Sequence, residues 1–282
     1  VSDNGSSTGK LRQEFSIPAI GDIRKVLTNL SSLPDEVKEI MEYRFHTYSD
    51  LNGHPIGNLI LTALLNKTGN LKKSIEYLST LLDVKQKVLP LSEDSLTLMG
   101  ETTDGTIIEG EANVTEAGKK IKRVFYKQEP NVLPEVIDAI KEADLVIISM
   151  GSLYTSIMPH LICKEVVQAV RHTKGKVMYL CNAMTQPGET DTFTVSDHLE
   201  ALEKYLGKHT IDVVVASNTK INPDVLHKYQ TTEEKDPGVI DYEQIDDMGI
   251  ELIEGDLLTT EDGTIRHDSM KLSSLIFAYL FK

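Results

Sequence analysis

From Pro134 onward the sequence alternates short apolar runs with longer amphipathic stretches, and this pattern restricts the fold more than any other feature. The runs Asp144-Leu-Val-Ile-Ile-Ser149, Lys176-Val-Met-Tyr-Leu-Cys181 and Ile211-Asp-Val-Val-Val-Ala216 have strand length and little polar alternation, as in sheets buried on both faces. Between them, helical stretches run from Glu135 to Ala143, near Pro159 to His172, from Val195 to Leu206 and near Pro223 to Tyr229. Strand–helix alternation builds a parallel sheet with helices on both faces. We therefore expect an α/β fold with strands 145–149, 177–181 and 211–216 at its centre. Ile250-Glu-Leu-Ile-Glu254 follows as the last central strand, and Ser269 to Phe281 as a closing amphipathic helix.

Open sheets of this kind bind ligands beyond the carboxyl ends of their strands. Two loops leave such ends here. Asn182-Ala-Met-Thr-Gln-Pro-Gly-Glu-Thr-Asp191 carries two side-chain amides, two hydroxyls and two carboxylates, and Pro187-Gly188 sets a tight turn. Gly151-Ser152 and Thr155-Ser156 stand at the same station one strand earlier. The stretch Asn4-Gly-Ser-Ser-Thr-Gly9, with Gly5, Ser6 and Ser7 rich in backbone donors, is a third candidate, or equally a flexible end. Together the three loops would form a phosphate site, with Lys10 and Arg12 either neutralising a diphosphate or simply solvated. Asn182, Thr185, Gln186 and Gly188 are its candidates in the first loop; Gly151, Ser152 and Thr155 in the second. No P-loop lysine, zinc spacing or Ser-His-Asp ordering is present.

The first third of the chain reads as helices. Asp22 opens one as a cap or first-turn acid, and equally suits a metal or hydroxyl ligand. Another helix runs from Pro34 to about Phe45. Leu59 to Leu65 is apolar on nearly every side, so that helix is central, and Asn58 at its start either caps it or helps present N–H groups to an anion. A further helix spans Leu71 to Val84, and His54 is assigned a structural role. Residues 87–126 switch to short alternating runs around Thr103-Asp104-Gly105, a hairpin signal, and form a small antiparallel β insertion. The chain opens on Val1 and runs straight into a loop of a kind that hangs from a strand, so a preceding strand is expected.

The 282 residues carry 29 basic and 43 acidic side chains, a net charge of −14 that argues against nucleic-acid binding. No apolar run reaches membrane-span length, and Cys163 and Cys181 lack metal-ligand spacing, which fits a reducing cytoplasm.

Asp3-Asn-Gly-Ser-Ser, Gly21-Asp-Ile-Arg, Gly53-His-Pro-Ile-Gly-Asn-Leu, Gly151-Ser-Leu-Tyr-Thr-Ser-Ile and Met184-Thr-Gln-Pro-Gly-Glu-Thr-Asp, in this order, resemble the gluconeogenesis factor (YvcK-type) family, relatives of 2-phospho-L-lactate transferase. The resemblance covers nearly the whole chain, implying one domain over 1–282 whose N-terminal strand and Gly-rich turn lie before Val1. It implies a Rossmann-like three-layer α/β sandwich that binds a nucleotide or UDP-sugar, in a bacterial cytoplasmic protein needed for growth and cell shape on gluconeogenic carbon. By the same resemblance Tyr229 and Arg266 become nucleotide-sugar contacts, with regulatory proteins and a second copy of the chain as partners. The family has a second Asp where Asn4 stands, which weakens a two-carboxylate metal site.

Two functions compete on this sequence. One is a binding protein that senses a UDP-sugar. The other is a transferase in which Asp3 and Asp22 share a Mg²⁺ with a diphosphate. Asn4, and the lack of an obvious nucleophile or base, tilt the expectation toward binding.

Overall fold

The computed structural model describes residue 2, residues 5–261 and residues 263–281. These fall into two compact units. The first takes the described residues of Val1–Glu101 with Gly105–Glu116 and Phe125–Val136; the second takes Thr102–Asp104, Ala117–Val124 and the described residues of Ile137–Lys282.

The first unit is mainly helical. Its helices α1 (Ser6–Phe15), α2 (Gly21–Leu30), α3 (Asp35–Glu42), α4 (Ile56–Thr68) and α5 (Leu71–Leu81) surround a core that includes Leu11, Ile20, Leu27, Leu61, Ile75 and Leu78. The α4 sequence lacks a polar stripe because α4 touches α1, α2, α3 and α5. Gly69 ends it at φ 63°, and Asn70 caps α5 by accepting from Lys73 N at 2.8 Å. Ser6 to Gly9, expected as loop, form the first turn of α1 instead.

Strands β1 (Leu98–Thr102) and β2 (Ile107–Glu109) pair antiparallel with Met99 opposite Glu109, and Gly105 turns the chain between them at φ 83°. Helix α6 (Glu111–Glu116) follows, then β3 (Ile121–Tyr126). The expected excursion over 87–126 is thus strand-forming only from Leu98. Asp94, upstream, is held by Asn131 N at 2.8 Å rather than by a ladder. Helix α7 (Pro134–Glu142) leads onward.

The second unit carries the parallel sheet. Strands β4 (Leu145–Ile148), β5 (Lys176–Leu180), β6 (Val213–Ser217) and β7 (Glu251–Gly255) lie in that order, every pair parallel. Its elements also include a π-helical turn at Leu153–Ile157, then α8 (Met158–Leu161), α9 (Lys164–Arg171), α10 (Val195–Leu206), α11 (Pro223–Thr232), α12 (Tyr242–Asp247), the antiparallel pair β8 (Leu258–Glu261) and β9 (Thr264–His267), and α13 (Ser269–Leu280). Met178, Leu180, Val213 and Val215 share a core with Leu272, Leu275 and Ile276 of α13. Tyr179, pointing the other way, stacks on His198 of α10. β5 and β6 are apolar because they are buried on both faces. At the sheet's lower end β5 starts so close to β4 that a Cβ on Gly175 would lie 2.2 Å from the Asp144 carbonyl carbon and oxygen.

Three expectations are corrected. Strand 145–149 is not central: among the described residues β4 is an outer strand, with Ile147 41% exposed. Apolar identity does not report the number of hydrogen-bonded neighbours, and in β4 it goes with only partial burial. The strand at 251–255 is likewise outer. The single helix expected near 159–172 is broken between α8 and α9, where Cys163 is extended, at φ −84°, ψ 113°. Both cysteines are buried thiols rather than disulfide partners, and burial pushes the Cys181 thiol up to about 12. No described helix is long and apolar enough to cross a membrane.

Candidate functional site

A cavity of about 380 Å³ opens in the second unit where β4 and β5 end. Gly151 and Ser152 line it from the loop after β4, Asn182 to Gln186 from the loop after β5, Tyr229 from α11, and Arg266 and His267 from β9. Seven residues nominated from the sequence therefore converge: Gly151, Ser152, Asn182, Thr185, Gln186, Tyr229 and Arg266. Lys235, Glu233 and His267 join them without having been foreseen. Glu233-Glu234-Lys235-Asp236 looks like a solvated charged turn, whereas Asp262-Gly263, like Asp104-Gly105, is a legible hairpin signal that marks β8–β9.

The two strand-end loops are tied together. Gly151 N donates to Asn182 Oδ1 at 3.3 Å, and Asn182 Nδ2 donates to Gly151 O at 2.7 Å. Thr185 N donates to Asp236 O at 2.7 Å while Asp236 N donates to Thr185 Oγ1 at 2.9 Å. Gly238 N adds a bond to Ala183 O at 3.0 Å, so residues 236–238 run along this loop as a zipper. Inside the loop, Gln186 N donates to Thr190 Oγ1 and Gly188 N to Asp191 Oδ2, each at 2.9 Å. Gly188, at φ 78°, packs on Lys119, where a Cβ would sit 3.0 Å from the Lys119 oxygen, and it does not line the cavity.

The expected phosphate seat at Gly151-Ser152 and Thr155 already holds an anion of the protein's own. Buried Glu189 accepts from Ser152 Oγ at 2.5 Å and from Tyr154 N at 3.0 Å. Ser152 Oγ in turn accepts from Thr155 N at 3.2 Å, and Thr155 is buried behind it. From sequence Glu189 counted as one more polar group of the loop. In the structure its carboxylate satisfies the amide that a phosphate would need.

Arg266 and Lys235 bring positive charge to the same cavity. The Arg266 guanidinium is exposed and has no hydrogen-bond or ion-pair partner among the described residues. Lys235 Nζ pairs with Glu233 at 2.7 Å and lies 5.9 Å from the Tyr229 ring centroid. Tyr229 is only 5% exposed, and its hydroxyl accepts from Ile265 N at 2.8 Å. Stacking on a base does not suit a ring this covered; Tyr229 braces the wall. Burial lowers His267 below the usual histidine range, against a raising contribution from the Cys181 backbone, so the ring is held toward neutrality.

In the first unit Asn58 and Ser7 belong to a buried polar chain. Arg24, 1% exposed, pairs with Glu42 and donates from Nε to Asn58 Oδ1 at 3.2 Å. Asn58 Nδ2 donates to Ser7 Oγ at 3.0 Å, and Ser7 Oγ lies 2.8 Å from His54 Nδ1. Asn58 does not cap α4, whose N-cap is Pro55; it sits in the first turn and joins helices instead. Burial first, then Lys10, lowers His54. Gly5 is the N-cap of α1, and Arg12 is committed to Ser2 O at 3.0 Å and Leu96 O at 2.6 Å rather than to a free anion site. Asp22 is a first-turn acid of α2, 59% exposed, paired with Lys25 at 3.3 Å. Asp3, Asn4 and the Ser6 side chain lie outside the described residues. Among the described residues no group of three or more His, Cys, Asp or Glu side chains is placed to hold a metal ion.

The family model for 2-phospho-L-lactate transferase CofD matches residues 1–258. The chain belongs to the CofD family. Within it, this CofD-family chain is 42% identical to the gluconeogenesis factor of Bacillus subtilis, over 98% of its own length and 87% of that protein. It is 39% identical to a putative gluconeogenesis factor of Thermotoga maritima, over 98% and 88%. A crystal structure of a UPF0052-family protein from Bacillus halodurans superposes with a TM-score of 0.93 at 38% identity, covering 98% of this chain and 89% of that one. The family match agrees with the motif resemblance and with an α/β fold built on a parallel sheet.

Proposed function

We propose that the chain is a gluconeogenesis factor that binds a nucleoside diphosphate or UDP-sugar in the second unit's cavity and works in the bacterial cytoplasm as a regulator of growth and cell shape. The observation that carries this reading is the uncommitted Arg266 guanidinium facing the carboxyl-end loops of β4 and β5. A planar guanidinium suits phosphate oxygens by paired hydrogen bonds. With Glu189 seated on the Tyr154 amide, the ligand's phosphates belong at the Arg266 wall, leaving Met150, Met184 and Ile265 to contact the less polar parts. Relatives of 38–42% identity that carry the gluconeogenesis factor name support the biological role.

The transferase description of the family model favours a second reading, a metal-dependent transfer from a nucleotide-diphosphate-linked substrate. Calorimetric titration of the protein with UDP-N-acetylglucosamine, GDP and NAD, with and without Mg²⁺, tests both. Binding without consumption of ligand supports the first reading. Mg²⁺-dependent consumption that Asp22→Asn stops supports the second, and binding of none of the three sinks the first.

A further inference from the structure

We propose that Lys235 is a second cationic contact for a diphosphate in this cavity, exchanging Glu233 for phosphate oxygens when the ligand enters; the proposal rests on the anion-binding reading of that cavity. A diphosphate carries more than one negative charge, and Arg266 alone leaves part of it unneutralised. Lys235 lines the same cavity. Its pairing with Glu233, two residues earlier, is local, and the two side chains are 31% and 36% exposed. Half-exposed pairs of this kind add little net stability, so exchanging the partner costs little. The backbone, by contrast, is firmly placed. Glu233 N and Lys235 N both donate to Tyr229 O, at 3.1 and 3.2 Å, and Asp236 is doubly bonded to Thr185. At its other end the Tyr229 hydroxyl holds Ile265 N, next to Arg266. Tyr229 is thus a positioning residue that fixes both cations relative to each other, while the ammonium on its flexible stem stays free to turn.

The test is calorimetry on the full chain with two probes, UDP and inorganic pyrophosphate, at low and high salt. Lys235→Met should weaken both probes roughly tenfold, the loss expected for one charge-assisted contact, and flatten the salt dependence. Lys235→Arg should restore affinity, and Glu233→Gln should tighten binding by removing the competing carboxylate. Unfolding curves of all three should match the wild type, since the pair is local. Wild-type affinity in Lys235→Met together with loss in Arg266→Gln would overturn the proposal and leave the cavity reading standing. If the wild type binds neither probe, the cavity reading falls and the proposal with it.

Discussion

Gly151 and Asn182 bind each other through both of their polar groups, the amide of Gly151 donating to Oδ1 at 3.3 Å and Nδ2 donating to the Gly151 carbonyl at 2.7 Å. The Asn182 side chain thus ties the loop after β4 to the loop after β5, as Glu189 does through Ser152 and Tyr154. Asn182→Asp keeps the acceptor but puts a carboxylate oxygen against the Gly151 carbonyl. We expect a loss of about 1–3 kcal/mol in denaturant unfolding, with weaker binding of any anion. Unchanged unfolding would show that the staple is not made in solution.

Glu189 holds the Ser152 hydroxyl and the Tyr154 amide. Glu189→Ala strands both donors in a buried site and should destabilise by about 1.5–3 kcal/mol. Glu189→Gln retains an acceptor and should cost clearly less. Equal losses in the two variants would mean that cavity formation, not hydrogen bonding, dominates.

Thr185→Val removes the acceptor for Asp236 N. The expected cost is about 1 kcal/mol of stability, with a loss of ligand affinity that arises indirectly, because Asp236 anchors the segment bearing Lys235. Thr185→Ser should behave as wild type. A crystal structure of Thr185→Val with residues 233–238 unmoved would refute the indirect route.

His198 is buried beside Tyr179 and Phe193; its Nδ1 bonds to Thr194 O at 2.8 Å, and Nε2 has no partner among the described residues. Burial lowers its pKa below 6.5, so the unfolded chain binds the proton first. Its contribution to stability is therefore present above pH 6.5 and lost as pH falls toward the folded value. Melting temperature should drop as pH is lowered through this window, and the drop should be smaller in His198→Gln, which can still donate to Thr194 O. An identical pH profile in the variant would assign the effect to the other histidines that burial lowers, His54, His160 and His267.

The sheet was legible because β5 and β6 are apolar where both faces are buried, and α4 because it has no wet side. The position of β4 was not, since Leu-Val-Ile-Ile reads alike with one hydrogen-bonded neighbour or two. In the site, the strand-end loops announced themselves by their density of polar groups. Which groups face the ligand did not. Glu189 and Thr185 look like ligand contacts in sequence, yet local hydrogen bonds claim Glu189 for Tyr154 and Thr185 for Asp236. Arg266 came from motif resemblance, and Lys235 was hidden because its neighbour in space, the Tyr229 ring, lies six residues back across a helix end.

The two cysteines give the second unit an internal clock. Cys163 and Cys181 are enclosed, and burial pushes the Cys181 thiol up to about 12, so a folded molecule offers thiol reagents neither an accessible Cys163 sulfur nor more than a trace of Cys181 thiolate. Modification should then proceed only as fast as the unit opens around the start of α9 and the end of β5. The rate at which an aromatic disulfide reagent colours the solution, followed with and without ligand, would read out that opening directly, without a label having been added to the protein.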